Sequence, residues 1–432
     1  MSRRIYFDGL NLSLERGTGI ATYTRLLARV ARDLGHEVGI VCSSPRRPAT
    51  NWLTRRFSSD AADGAPVSSA KQVWDVCWDQ LQAPFGVRPS AVNPTGAAAA
   101  NRLHDRLPPH DHLFVARNLF ANARRYYSWS GRFIDLMFDQ VPDIFHCTYQ
   151  MPLRAKGACN VYTIHDLVPL RLPFATLDNK RQTYRLLRQI AAEADHIVTV
   201  SENSKRDIVE LLGIPEERVT NTYEAVEFPP ELAERPVDLV AEQLHASHGL
   251  DFGDYLLFYG ALEPKKNVGR LIEAYLLSGV DLPLVITGAN GWGNRAEARM
   301  IEELGAERRP HTKRRIHRIQ YVGLPMLVDL IRGGRAVLFP SLYEGFGLPV
   351  AEAMLLGTPV VTSRASSLPE IAGDAALYVN PYDVDDIARA IKTIVADDGL
   401  RAELARRGRV QAALFSVARY RDRVAALYER LG

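Results

Sequence analysis

The stretch AVLFPSLYEGFGLPVAEAMLLGTPVVT, residues 336–362, reads as strand, turn, helix and strand. Ala336–Phe339 is an unbroken apolar run closed by Pro340, the pattern of a strand buried on both faces. Gly345 and Gly347 punctuate the turn that follows. Pro349 opens a helix over 349–356, where its missing N–H costs nothing. Pro359–Thr362 then returns as a second strand. A strand joined through a helix to another strand is a parallel crossover, so a parallel sheet with helices on its faces is expected.

The same turn carries two carboxylates, Glu344 and Glu352, on either side of the glycines. The helix start between them is the stronger chemical clue. Unpaired N–H groups and the helix dipole both favour an anion there, and glycines let a ligand approach the backbone closely. Phosphate would then dock on the amides of roughly Gly347–Val350. Like charge excludes Glu352 as a phosphate ligand, so it is expected to accept hydrogen bonds from a diol, as acidic residues do with ribose. Glu344 could hold a second polyol. A carboxylate that merely stabilises the helix start is the plainer alternative.

The rhythm extends outward from this unit. Tyr255–Tyr259, Leu284–Thr287 and Ile319–Val322 read as strands, with helices over 268–276 and 326–332 between them. In the first half Arg3–Phe7, Glu37–Cys42, Ile144–Cys147, Val161–Ile164 and His196–Val200 read as strands, with helices at 22–33 and 204–212. Two such runs, parted by the polar stretch 227–250, predict two doubly wound α/β domains over residues 1–235 and 236–416. Residues 43–110, rich in Pro, Ser and Ala and including Ala97–Ala100, read as a long insertion. Arg117–Arg132 mixes arginines with aromatics, which suits either a membrane surface or a helix with its aromatics inward.

Three further strand ends carry chemistry. Gly17 and Gly19 form a Gly-x-Gly turn after the first strand, a common phosphate cradle, but the third glycine of a dinucleotide site is absent. Lys265 and Lys266 follow Tyr259 and could neutralise a departing diphosphate. His165, with Asp166 beside it, ends the strand at 161–164, where ligands bind in open α/β sheets. Asp383-Val384-Asp385 opens a helix and reads as a cap, not a metal motif. His104, His110 and His112 lack zinc spacing, so no metal cofactor is expected.

Composition sets the frame. Of 432 residues, 47% are hydrophobic and 24% charged, as in ordinary globular proteins. No apolar run reaches membrane-spanning length, and Ile5-Tyr6-Phe7 reads as a strand, not as the core of a signal peptide. Cys42, Cys77, Cys147 and Cys159 show no CxxC spacing, which suits reduced thiols and a cytoplasmic location. The net charge of +3 is uneven: residues 1–160 hold 20 Lys+Arg and 13 Asp+Glu, a balance of +7, leaving −4 for the rest. A basic first half suits an anionic partner such as lipid headgroups; without a recognition motif, nucleic acid is not expected.

Taken together, PSLYEGFGLPVAEAMLLGTPVV, SSLPEIAGDAALYVNP, GALEPKKN, RGTGI and TIHDLVPL resemble the family 4 retaining glycosyltransferases of the GT-B fold, in order and spacing. TIHDLVPL and LEPKKN are similar to bacterial O-antigen and polysaccharide mannosyltransferases. The resemblance implies two Rossmann-like domains facing across a cleft, with a helix near Val417–Leu431 crossing back to the first. It implies a nucleotide-sugar donor, first of all GDP-mannose, and a growing, lipid-linked glycan acceptor, with peripheral contact to an anionic membrane. By the same resemblance Glu352 holds the ribose and Glu344 the sugar hydroxyls. Lys266, with Lys265 beside it and the amides of Gly345, Phe346, Gly347 and Leu348 nearby, meets the diphosphate, Gly17 and Gly19 close on the phosphates, and His165 sits beside the reacting carbon. Two departures stand out: Ala261 replaces a usual arginine, and Tyr223-Glu224-Ala225-Val226 replaces a usual Asn-Gly. With no carboxylate nucleophile evident, same-face substitution is expected, the acceptor proton passing to the leaving phosphate. A UDP-hexose donor, or a silent GT-B subunit that binds a partner transferase, are the alternative readings.

Overall fold

The computed structural model describes residues 2–13, 19–44, 78–92, 107–289, 291, 299–301 and 315–431. Gly17, His104, Ala97–Ala100 and most of the 43–110 insertion lie outside the described residues. In the first lobe the strands are β1 (Arg4–Asp8), β2 (Glu37–Ser44), β3 (Ser90–Val92), β4 (His112–Arg117), β5 (Ile134–Leu136), β6 (Ile144–Cys147), β7 (Leu153–Ala155), β8 (Cys159–Thr163), β9 (His196–Thr199) and β10 (Val219–Asn221). The second holds β11 (Leu256–Tyr259), β12 (Leu284–Thr287), β13 (Ile316–Ile319), β14 (Ala336–Phe339), β15 (Val360–Ser363) and β16 (Ala376–Val379).

The first sheet runs β10-β9-β8-β6-β1-β2-β4-β3 and is parallel except where β3, from the insertion, pairs antiparallel with β4. A small parallel pair, β5-β7, lies apart from it. The second sheet runs β13-β12-β11-β14-β15-β16, and every pairing is parallel. Strand order reverses beside β1 in one sheet and beside β11 in the other, and ligand crevices form at such reversals. The central strands of the second sheet are fully buried: Leu256–Tyr259 and Ala336–Phe339 are apolar at every position. The first sheet is covered on one face by α1 (Gly19–Asp33) and on the other by α2 (Leu119–Ser130), α3 (Lys180–Glu193) and α4 (Glu202–Leu212).

The structure moves several predicted boundaries. The expected strand at 319–322 lies earlier, at β13, because Val322 and Gly323 lead into the next helix, α5 over Leu324–Gly333. The polar 227–250 stretch is not a bare linker: it contains a helix over Val237–His248 that packs Val240 and Leu244 into the second core. Asp383 caps the helix Val384–Ala396, its side chain accepting from the Asp386 amide, as its position suggests. In α2, Phe120, Tyr126 and Tyr127 face the core while Trp129 and the two arginines at 124 and 125 face outward.

The last helix, α6 (Val417–Arg430), returns to the first lobe. Tyr428 Oη meets His146 Nδ1 at 2.9 Å, Arg430 reaches His196 Nε2 at 2.7 Å, and Tyr420 packs edge-on to Tyr23. Next to this return, the Val226 amide donates to the Phe415 carbonyl at 2.9 Å, so the two chain crossings lie side by side.

Candidate functional site

The site forms where the carboxyl ends of the two sheets face each other. On the second-lobe side, the loop after β14 is pinned by serines. Ser363 Oγ donates to the Ser341 carbonyl at 2.5 Å, and Ser367 Oγ donates to the carbonyls of Glu344 and Phe346 at 3.0 and 2.7 Å. Gly347 sits at φ +108°, a conformation that side-chain-bearing residues avoid. The helix after it begins at Leu348, one residue before the predicted start. Among the described residues, no group accepts from the amides of Gly345, Phe346, Gly347 or Leu348. The helix start therefore leaves these four amides without acceptors among the described residues, the condition an anion site needs.

Lys265 and Lys266 lie in the short turn after β11 and enter the same space. Lys266 Nζ donates to Glu344 Oε1 at 2.6 Å and lies 4.7 Å from the Phe339 ring centre. Lys265 Nζ is 3.8 Å from both Glu344 Oε2 and Asp166 Oδ2. Burial opposes charge on all three groups, and each responds to its neighbours. The two ammoniums outweigh burial at Glu344 and hold its carboxyl below the ordinary value. Burial pulls Lys265 down, but Glu344 and Asp166 outweigh it and raise it. Lys266 remains lowered, since burial and the Lys265 charge exceed what Glu344 returns. An ammonium that is under-compensated in this way gains from a second anion. Glu344, expected to hold sugar hydroxyls, has one oxygen occupied by Lys266 in this state.

Glu352 lies one helical turn further on. Burial pushes its carboxyl up to about 7, the hydrogen bond with Tyr259 opposes the rise and Glu224 adds to it. The Tyr259 hydroxyl donates to the Pro349 carbonyl at 2.7 Å, tying β11 to this helix.

From the first lobe, His165 stands just past β8. Its Nε2 meets the Thr148 carbonyl at 3.0 Å, so it is the donor there. Thr148 is fixed by Asp8, which accepts from the Thr148 hydroxyl at 2.8 Å and from its amide. Burial raises the Asp8 carboxyl despite those bonds. Tyr23 packs edge-on against the imidazole, with ring centres 4.8 Å apart. His165 Nδ1 lies 3.4 Å from Glu224 Oε1.

The lobes touch through these same residues. Ser204 Oγ bonds to the His165 carbonyl at 3.0 Å and to the Gly345 carbonyl at 3.3 Å. A Cβ on Gly345 would come within 2.7 Å of the His165 oxygen, so glycine is required by the approach itself. Tyr343 donates to Asp207, and the Asn203 amide to Glu370 at 3.3 Å. Gly19 faces Leu348: a Cβ there would lie 3.6 Å from Leu348 Cδ1.

The structure thus gathers His165, Lys265, Lys266, Glu344, Gly345 and Leu348 into one cleft, with Gly19 at its edge. Glu352 lies beside Tyr259, and Gly17 falls outside the described residues. Sequence reading missed Glu224, Thr148, Tyr259, Ser204 and Tyr343. Only Glu224 left a trace in the sequence, as the replacement of a usual Asn-Gly.

Comparison with known proteins places this cleft in a family context. Residues 241–411 match the family described as Glycosyl transferases group 1, and residues 86–227 match Glycosyltransferase Family 4. The chain is 33% identical over 275 residues to O-antigen chain mannosyltransferase B of Escherichia coli, covering 62% of this chain and 69% of that protein. It is 30% identical over 274 residues to the serotype-specific mannosyltransferase WbdA of Escherichia coli, but spans only 32% of that longer protein. Among solved structures, Anabaena HepE in complex with UDP and glucose superposes with a TM-score of 0.65 at 17% identity, covering 99% of this chain and 100% of HepE. WaaG, a glycosyltransferase involved in lipopolysaccharide biosynthesis, superposes with a TM-score of 0.58 at 15% identity, covering 98% of this chain and 99% of WaaG. At those identities the likeness establishes the two-domain GT-B fold and nothing finer.

Proposed function

Because this chain belongs to the group 1 and family 4 glycosyltransferases, we propose that its cleft transfers a hexose with retention from a nucleotide-sugar to a bacterial polysaccharide or O-antigen acceptor. The observation that carries this reading is the junction of unpaired amides at Gly345–Leu348 with Lys265 and Lys266, where the His165 backbone meets Gly345. Charge in the reaction builds on the departing diphosphate, and preorganised donors in a water-poor cleft stabilise such charge most effectively. Lys266 would exchange part of its bond with Glu344 for phosphate, freeing that carboxylate for sugar hydroxyls. Glu352 would hold the ribose. The acceptor hydroxyl would pass its proton to the leaving phosphate on the same face of the sugar. No metal is assigned, since the lysines and the helix start supply the positive charge.

Mannose from GDP-mannose is the proposed donor group, supported by the mannosyltransferase relatives. A UDP-hexose is the second reading, favoured by UDP in the HepE complex. A thermal-shift panel of GDP, UDP, ADP and dTDP separates them, because a ligand stabilises by mass action. GDP-selective stabilisation, with mannose transfer abolished by Lys266→Ala and unaffected by EDTA, is expected. UDP-selective stabilisation would replace the donor assignment. A folded chain that binds no nucleotide would leave the silent-subunit reading.

No helix among the described residues is long and apolar enough to cross a membrane. A lipid-linked acceptor calls for a peripheral surface, and the face carrying Trp129 and Phe85, which are 64% and 80% exposed, beside outward arginines is the proposed one. Gln80 ties the two segments together, bonding to Trp129 Nε1 at 3.0 Å and to the Asn122 carbonyl at 3.3 Å. Co-sedimentation with anionic but not zwitterionic vesicles, weakened by Trp129→Ala, is the expected result. A cytoplasmic location belongs to this same proposal.

A further inference from the structure

Glu224 occupies a position that the glycosyl-transfer reading does not use. It follows β10, is buried, and presents Oε1 to His165 Nδ1 at 3.4 Å. The opposite ring nitrogen already faces a carbonyl, that of Thr148. Both edges of the imidazole therefore face acceptors. A lone pair on Nδ1 would point at a carboxylate oxygen, whereas a proton there turns repulsion into a charge-assisted contact.

The backbone around Glu224 is held with unusual firmness. Tyr223, just before it, adopts φ +59°, a left-handed conformation that is costly for an aromatic residue. Three restraints keep it there. Its amide donates to Asn221 Oδ1 at 2.8 Å, its ring lies 4.7 Å from the Arg423 guanidinium carbon, and it packs edge-on to Phe415 and Phe346. Two residues on, the Val226 amide is bound by Phe415. First-lobe strand end, returning chain and second-lobe loop thus converge to aim one carboxylate. Strained backbone that is over-determined by its surroundings clusters at functional sites.

We propose that Glu224 is a positioning residue for transfer: it keeps the Nδ1 proton of His165 and, with the Thr148 carbonyl on Nε2, locks the imidazole in one orientation against Tyr23. The pair adds no net charge to the cleft, so it orients the sugar-facing wall without opposing positive charge on the reacting carbon. The ionisable groups facing the pair are Tyr23 from α1, Tyr420 from the returning helix, Glu352 from the second lobe, and Asp8 and His146 from the central strands.

This inference rests on the transfer reading above, but its test has a readout independent of it. In ¹⁵N-histidine NMR of the full chain, with His165 identified by loss of its signals in His165→Gln, the wild type should show Nδ1 protonated. Glu224→Asp should keep that signal. Glu224→Gln should change it while melting close to wild type. In the transfer assay, Glu224→Gln should lower kcat about tenfold to a hundredfold, the scale of misplacing a positioned group, with donor KM within about twofold. Glu224→Asp should recover part of the rate. An Nδ1 signal unchanged in Glu224→Gln overturns the proposal whatever the rate, as does equal loss of kcat and melting temperature in Glu224→Gln and Glu224→Asp. If the wild type transfers no sugar, the proposed function fails while the NMR comparison still decides whether Glu224 holds the proton.

Discussion

Single side chains decide how charge is stored in the cleft. Glu352 is the clearest case, because its folded pKa of about 7 exceeds the ordinary carboxylate value. A raised folded value means stability that is full below the unfolded pKa and lost as pH rises through the folded one. Wild type should therefore lose stability relative to Glu352→Gln between about pH 4.5 and 7, by roughly 1–3 kcal/mol. Paired melts across that range check this, and a constant difference would refute it. The same variant should weaken nucleoside diphosphate binding if the carboxyl holds ribose. Gly345→Ala tests the lobe contact: its new methyl would meet the His165 oxygen at 2.7 Å and Asp166 Cβ at 3.1 Å. Overpacking of that kind costs about 1–3 kcal/mol, and turnover should fall about a hundredfold with the fold intact; circular dichroism and kcat decide it. The glycines, lysines and His165 were legible in sequence because strand ends and glycine turns mark crevices. Glu224 and Thr148 were not, because their partners lie on other strands and only the sheet order brings them to His165.

At the scale of elements, the alternation of apolar strands and helices gave away both sheets, including the central strands β11 and β14, which are buried on each face. It misplaced β13, where His317 and Arg318 dilute the apolar signal, and it took Val237–His248 for linker because Pro, Glu and His obscure its two core contacts. The returning helix seats Tyr428 on His146 and Arg430 on His196. Burial drives the first imidazole down to about 3, and burial with Arg430 drives the second down to about 4. A lowered folded value gives stability that is present above the unfolded pKa and lost as pH falls towards the folded one. The helix seam should thus loosen between about pH 6.5 and 4. Hydrogen exchange of residues 417–430 should quicken over that interval, and His146→Gln should flatten the response. Exchange that ignores pH there would refute the assignment.

Across the whole molecule, polar contacts between the lobes among the described residues include Tyr343 with Asp207 and Asn203, Asn203 with Glu370, Ser204 with Gly345, and Lys265 near Asp166. Removing one hydroxyl, in Tyr343→Phe, leaves Asp207 to Arg171 and to a long contact from Asn203 Nδ2 at 3.5 Å. The solution radius of gyration should increase slightly and donor KM should rise several-fold, since closure must then be driven more by ligand; small-angle scattering and kinetics check both. The side-by-side crossings at Val226 and Phe415 set the character of that motion. Two separate connections would permit sliding as well as swinging, but two tied by an amide–carbonyl bond act as a pivot. Swinging about a pivot changes the distance between the far edges of the lobes most, so a pair of distance probes placed there, one per lobe, should follow closure of the cleft.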